Sequence, residues 1–169
     1  MKKIAILSTH GFEHSELTGP QEYFKNAGYD VTVVSPESGS INAAHDAGSV
    51  DIDRQLDSAN AADYNALILP GGQVNPDILR INENALGFIK HFVDEDKPIA
   101  AICHAPWLLI EAGAVSGKQM TSWPSLKTDL VNAGAQWVDQ SAVTAGNIVT
   151  SRNPDDIPAF NQAFEALLQ

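Results

Sequence analysis

The chain has a single cysteine, Cys103, among 169 residues. No intrachain disulfide can form, so the thiol is free and a reducing, cytoplasmic compartment is expected. Long hydrophobic runs are missing: nothing approaches the roughly 20 apolar residues of a membrane span. The start, Met1-Lys2-Lys3-Ile4, leads into too short an apolar stretch for a signal peptide. Basic residues are scarce, 10 Lys and Arg against 21 Asp and Glu, for a net charge of -11. They are also scattered, which argues against nucleic acid as a partner. No GxGxxG follows the first predicted strand, and GxxxxGK[ST] and GxSxG do not occur. Dinucleotide, P-loop and serine-hydrolase readings therefore lack support, and no cofactor is expected. No Ser/Gly/Pro-rich linker, charge block or internal repeat divides the chain, which reads as one domain over residues 1–169.

What is present is an alternation of strands and helices. Lys3 to Thr9 reads as a strand, Glu13 to Ala27 as a helix closed by Gly28, and Asp30 to Ser35 as a second, β-branched strand. This opening βαβ unit should place its two strands parallel through a right-handed crossover. Between Pro36 and Asp53 the composition turns to Gly, Ser and Asn with short alternating pieces, Ser40 to Asn42 and Ser49 to Arg54, which suggests a small antiparallel excursion. Ala66 to Leu69 is a buried strand stopped by Pro70-Gly71-Gly72, and Asn84 to Glu95 is an amphipathic helix. A further short strand is read at Gln119 to Ser122 and a helix at Leu126 to Ala133. Two strand-like pieces around Gly146-Asn147 and a final helix from Asp156 to Leu168 close the chain. The pattern predicts an α/β fold, a mostly parallel sheet covered by helices on both faces, with ligands bound at the carboxyl ends of its strands.

The stretch Lys97 to Gly113, KPIAAICHAPWLLIEAG, carries the chemistry. Ile99 to Ile102 is apolar at every position, as in a strand buried on both faces, and the segment after it has helical spacing with Pro106 in its first turn. Cys103 thus stands where a strand turns into a helix, a position whose free amide N–H groups and dipole favour a thiolate. Three loops should meet around it: His10 to Glu16, Gly71 to Asp77, and Cys103-His104. An amide of Gly71-Gly72 together with that of His104 would form a two-donor oxyanion site. Glu16 is either a protonated carboxyl aimed at the sulfur or, like Glu13, an ordinary acid at a helix start. His104 is a candidate general base, with Asp77 the acid on the nearest loop to orient it. His10 and His14 are four apart, but Gly11 and the preceding strand argue against a metal site, and none is expected. His45 and His91 have no constellation around them in the sequence, and Trp107, Trp123 and Trp137 read as core or pocket wall.

The motifs GFEHSEL, LILPGG, KPIAAICHAP, LVNAGAQWVD and IVTSRNPDDIPAF together resemble the PfpI intracellular protease family. It belongs to the superfamily that also holds the parkinsonism-associated deglycase and the glutamine amidotransferases. The resemblance implies a flavodoxin-like three-layer sandwich, with Cys103 as nucleophile, Glu16 as the carboxyl against it, His104 as its partner, and Gly72 and His104 as oxyanion donors. It also implies an acid after the PGG loop, here Asp77, supplied by a neighbouring subunit of a homo-oligomer. His14 stands where the family usually has an acid, and Trp123 where it often has Tyr; both are placed in the pocket. The implied function is a cysteine-nucleophile enzyme acting on a small carbonyl compound or a peptide, as peptidase, glyoxalase or deglycase. The alternative is a stress protein, redox-sensing or chaperone-like, using an oxidisable Cys103. A glutamine amidotransferase would need a downstream His-x-Glu pair, and this chain has no histidine after His104.

Overall fold

The computed structural model describes all 169 residues. In chain order the first half contains β1 (Lys3–Leu7), α1 (His14–Asn26), β2 (Asp30–Ser35), β3 (Ser40–Asn42), β4 (Ser49–Asp51), β5 (Arg54–Gln55), β6 (Ala66–Leu69), α2 (Val74–Leu79) and α3 (Glu83–Asp94). The second half contains β7 (Ile99–Ile102), α4 (Pro106–Glu111), β8 (Gln119–Met120), α5 (Lys127–Asn132), β9 (Gln136–Trp137), β10 (Val143–Ala145), β11 (Ile148–Ser151) and α6 (Ile157–Leu168). No helix is long and apolar enough to cross a membrane.

Seven strands form one sheet in the order β10-β11-β7-β6-β1-β2-β5, parallel throughout except for the β10–β11 hairpin. The pleat sends alternate residues to opposite faces, and the sequence meets both with apolar side chains. Ala5, Leu7, Leu67, Leu69, Ile99 and Ala101 pack with residues of α3, α4 and α5 on one face. Ile4, Ile6, Ile68, Ala100, Ile102 and Val149 pack against α1 and α6 on the other, where Phe24 meets Phe164 edge-on at 5.6 Å. Helices therefore cover both faces of a flavodoxin-like sheet. β1 has β2 on one side and β6 on the other, so the strand order reverses there and opens a crevice at the carboxyl ends, as in other doubly wound sheets.

The predicted strands at Asp30–Ser35 and Ala66–Leu69 are found with those bounds, and the antiparallel excursion is the β3–β4 pair. The helix predicted from Asn84 runs over Glu83–Asp94, because the Asn82 side chain accepts the Ala85 N–H at 3.0 Å and sets its first turn. Residues read as a loop after Pro70-Gly71-Gly72 include a six-residue helix, α2. Two-residue strands β5 and β9 were not expected either; each takes its geometry from a neighbour, β2 and β8 respectively. The excursion folds back over the β1–α1 loop. Gly11 N–H donates to the Asn42 carbonyl at 2.8 Å, Ala44 N–H to the Phe12 carbonyl at 2.8 Å, and Asn42 N–H to His10 Nδ1 at 3.0 Å.

Candidate active site

Cys103 follows β7 directly and has φ +65, a left-handed conformation that a residue with a Cβ adopts only when its surroundings impose it. Here its N–H donates to the Ser151 carbonyl at 3.0 Å and its carbonyl accepts the Trp123 N–H at 2.9 Å. The sharp elbow brings successive side chains together: Cys103 Sγ lies 3.2 Å from His104 Nδ1. Burial lowers the His104 pKa, so its ring is neutral at neutral pH and free to accept the thiol proton. Trp123 stacks on the ring at 5.8 Å and Trp107 meets it edge-on at 5.2 Å. Two indoles therefore hold the ring where a carboxylate was expected to.

Glu16, in the first turn of α1, is fully buried and reaches the same point from the other side. Its Oε1 accepts the Gly71 N–H at 3.0 Å. A Cβ on Gly71 would stand 2.5 Å from Glu16 Oε1 and 2.6 Å from Cys103 Cβ, so only glycine lets the three backbones close. Burial first, and then the nearby charge of Glu13, push the Glu16 pKa up to about 8. The carboxyl is therefore protonated at neutral pH, the first of its two sequence readings, and its Oε2 is buried with no hydrogen-bond partner.

The thiol departs from expectation. The helix-start position suggested a pKa below the ordinary value, but burial, and next the Glu16 charge, push it up, against the Gly72 and His104 N–H groups that draw it down. The helix that follows is six residues long and begins three residues beyond the sulfur, while the sulfur itself is packed in the core beneath the crevice. Burial outweighs the dipole. A neutral Glu16 removes the charge repulsion, so below about pH 8 burial is the main cause that still raises the thiol.

These groups open into a cavity of about 530 Å³ lined by Cys103, His104, Glu16, Gly72 and Trp123, as the sequence indicated. Gly71 is buried just behind, its N–H committed to Glu16 rather than to an incoming oxygen. Two expected residues stand elsewhere. His14 does not line the cavity: on the first turn of α1 its ring lies under Gly48 of the excursion, 3.5 Å from where that residue's Cβ would be. Asp77 is exposed on α2 and does not line the cavity within the chain. Residues without a sequence signal take their place. Ala44 and His45 arrive because the excursion is stitched to the β1–α1 loop, with His45 at φ +59, and Gln73, Ser125 and Glu13 complete the wall.

A doubly wound α/β protein with a cysteine on a left-handed elbow, faced by a buried carboxyl and a neighbouring histidine, defines a recognisable class. The chain belongs to the DJ-1/PfpI family, which it matches over residues 2–166. It is 44% identical to General stress protein 18 of Bacillus subtilis over 170 residues, 99% of this chain and 98% of the relative. It is 41% identical to Protein/nucleic acid deglycase 2 of Escherichia coli over 169 residues, again 99% and 98%. The crystal structure of Drosophila melanogaster DJ-1beta superposes with a TM-score of 0.90 at 29% identity, covering 98% of this chain and 90% of that one.

The raised Glu16 pKa has a consequence for stability. An acid whose folded value exceeds its unfolded one contributes stability that is complete below the unfolded value, near 4.5, and is lost as pH rises through about 8. The unfolding free energy of the native chain minus that of Glu16→Gln should therefore fall between pH 4.5 and 8 and level off above, read from urea denaturation at stepped pH. A flat difference would mean that Glu16 is ionised throughout.

Proposed function

We propose that the protein is a cytoplasmic, cysteine-dependent enzyme that adds Cys103 to the carbonyl carbon of a small carbonyl compound, in the manner of a deglycase or glyoxalase. The observation that carries this reading is the 3.2 Å contact between Cys103 Sγ and His104 Nδ1. The thiol proton passes to His104 Nδ1, the sulfur lone pair forms the S–C bond, and the C=O π pair moves to oxygen. The amide N–H groups of Gly72 and His104, which converge on the sulfur, lie next to that oxygen. The proton then returns from His104 to the oxygen or to a departing amine. Relatives named deglycases, in Escherichia coli and Pyrococcus furiosus, support the choice. A peptidase reading asks more of the site, since no carboxylate within the chain orients His104.

The test compares native protein with Cys103→Ser on a methylglyoxal-derived adduct and on a peptide amide. Native protein should turn over the adduct at least about 100-fold faster than the variant, the scale on which a lost nucleophile acts. Equal background in both would reject the reading. Peroxide treatment that added two oxygens at Cys103 of a protein without turnover would favour redox sensing instead.

We also propose that the protein is a homo-oligomer. Val74 and Ile78 on α2 and Ile81 just beyond its end are 51%, 42% and 83% exposed, apolar residues that start at the cavity wall with Val74 and have Asp77 among them. A second copy covering them would bring Asp77 of one protomer to the cavity of the other. Sedimentation should give a dimer or larger for native protein and a monomer for Ile78→Asp/Ile81→Asp. A native monomer would remove Asp77 from the site.

A further inference from the structure

The His104 ring makes one hydrogen-bond contact, the one to Cys103 Sγ, and a proton crosses that 3.2 Å gap only while Nδ1 stays turned toward the sulfur. The last torsion of a histidine is broad, so stacking alone leaves the ring free to turn. What limits it is the pair of indoles beside it. Trp123 is 40% exposed, whereas Trp107 is tied down from outside the cavity by two other parts of the chain. Its Nε1–H donates to Asp129 Oδ2, on α5, at 3.0 Å. The Arg80 guanidinium, just past the end of α2, lies over the indole face at 5.2 Å, where the π charge draws a cation. Glu111, at the end of α4, fixes Arg80 in turn, its Oε1 accepting from Nε at 3.1 Å and from Nη2 at 2.9 Å. Neither Asp129 nor Arg80 lines the cavity. One indole therefore spans from an exposed carboxylate to the buried base, with its donor at the outer end and its ring against His104.

We propose that Asp129 is a positioning residue for His104: by fixing the Trp107 indole it holds the imidazole with Nδ1 toward Cys103 Sγ, the part that a carboxylate plays directly in a Cys-His-acid triad. This role rests on His104 being the acceptor of the thiol proton. The same indole keeps water off the ring, and burial is what lowers the His104 pKa. An indole released from Asp129 would admit water, and the pKa would rise toward 6.5, the ordinary value. Losing a negative charge acts in the opposite direction, since it makes an imidazolium harder to form. The sign of the change thus separates positioning through Trp107 from a direct effect of the Asp129 charge. The other titratable groups of the cavity, Cys103, Glu16, Glu13 and His45, are common to all the variants compared.

Nitrogen-15 NMR of the His104 imidazole reads tautomer and titration midpoint together. His104 is one of five histidines, and its signals are assigned by their loss in His104→Gln. Native protein should show a midpoint below 6.5 and, above that midpoint, an unprotonated Nδ1. Asp129→Ala and Trp107→Phe should each raise the midpoint toward 6.5. The double variant should go no further than Trp107→Phe alone, because the carboxylate acts through the indole. Asp129→Asn keeps an oxygen acceptor for the indole N–H and should restore the native midpoint. In turnover, Asp129→Ala should lose about tenfold in kcat with KM unchanged, the effect of a misaligned base on chemistry rather than on binding. An unchanged midpoint in Asp129→Ala, a midpoint that falls equally in Asp129→Ala and Asp129→Asn, or shifts that add in the double variant would overturn the proposal. If native protein and Cys103→Ser show the same background turnover, the carbonyl chemistry is rejected, and the imidazole titration decides the role of Asp129 by itself.

Discussion

Two buried acids, the Glu16 carboxyl and the Cys103 thiol, are packed against each other across Gly71, and they cannot both be charged. Burial pushes each of them up, and the Glu16 charge raises the thiol further. Everything nearby serves to hold them there. β7 ends at Ile102 so that Cys103 can take its left-handed elbow, β6 ends in Pro70-Gly71-Gly72 so that a backbone without side chains can pass between, and α1 starts where it does so that Glu16 is in its first turn. A neutral carboxyl is the arrangement that resolves the conflict, because it withdraws its charge from beside the sulfur.

The strand-order reversal at β1 explains why these three loops converge at all. β6 and β7 are consecutive on one side of β1, and α1 leaves β1 across the crevice, so residues far apart in the chain, Glu16, Gly72 and Cys103, face one cavity. The sheet supplies rigidity from two apolar faces, and the chemistry is left to its loops. The excursion adds a wall. By bonding to the β1–α1 loop it converts a groove into a cavity, and it brings in His45 at a backbone conformation that only that tight connection accounts for.

Much of this was legible in the sequence, for identifiable reasons. Ala66–Leu69 and Ile99–Ile102 are apolar at every position, a pattern that a parallel sheet buried on both faces demands, and the stops after them, Pro70-Gly71-Gly72 and Cys103-His104, marked the site. Cys103, His104 and Gly72 stand at those stops, while Glu16 was singled out by the family resemblance. What escaped depended on contacts between distant segments. The helix that carries Asp77 went unread because α2 is a single short helix around Pro76 with exposed apolar residues, without a helical signature of its own. His14 was placed in the pocket because it stands where the family usually has an acid, whereas the first turn of α1 sets its ring under Gly48. The thiol was expected to ionise readily because its position at a helix start is visible in the sequence, while the depth of its burial is not.

The chemistry of the site turns on the protonation of one carboxyl. Carbon-13 NMR of the Glu16 side-chain carboxyl, assigned by its loss in Glu16→Gln and followed from pH 4 to 10, reads it directly. The structure predicts a midpoint near 8. A midpoint close to 4.5, the value of an ordinary glutamate, would mean that a full negative charge sits against the sulfur at neutral pH, and would contradict the site described here.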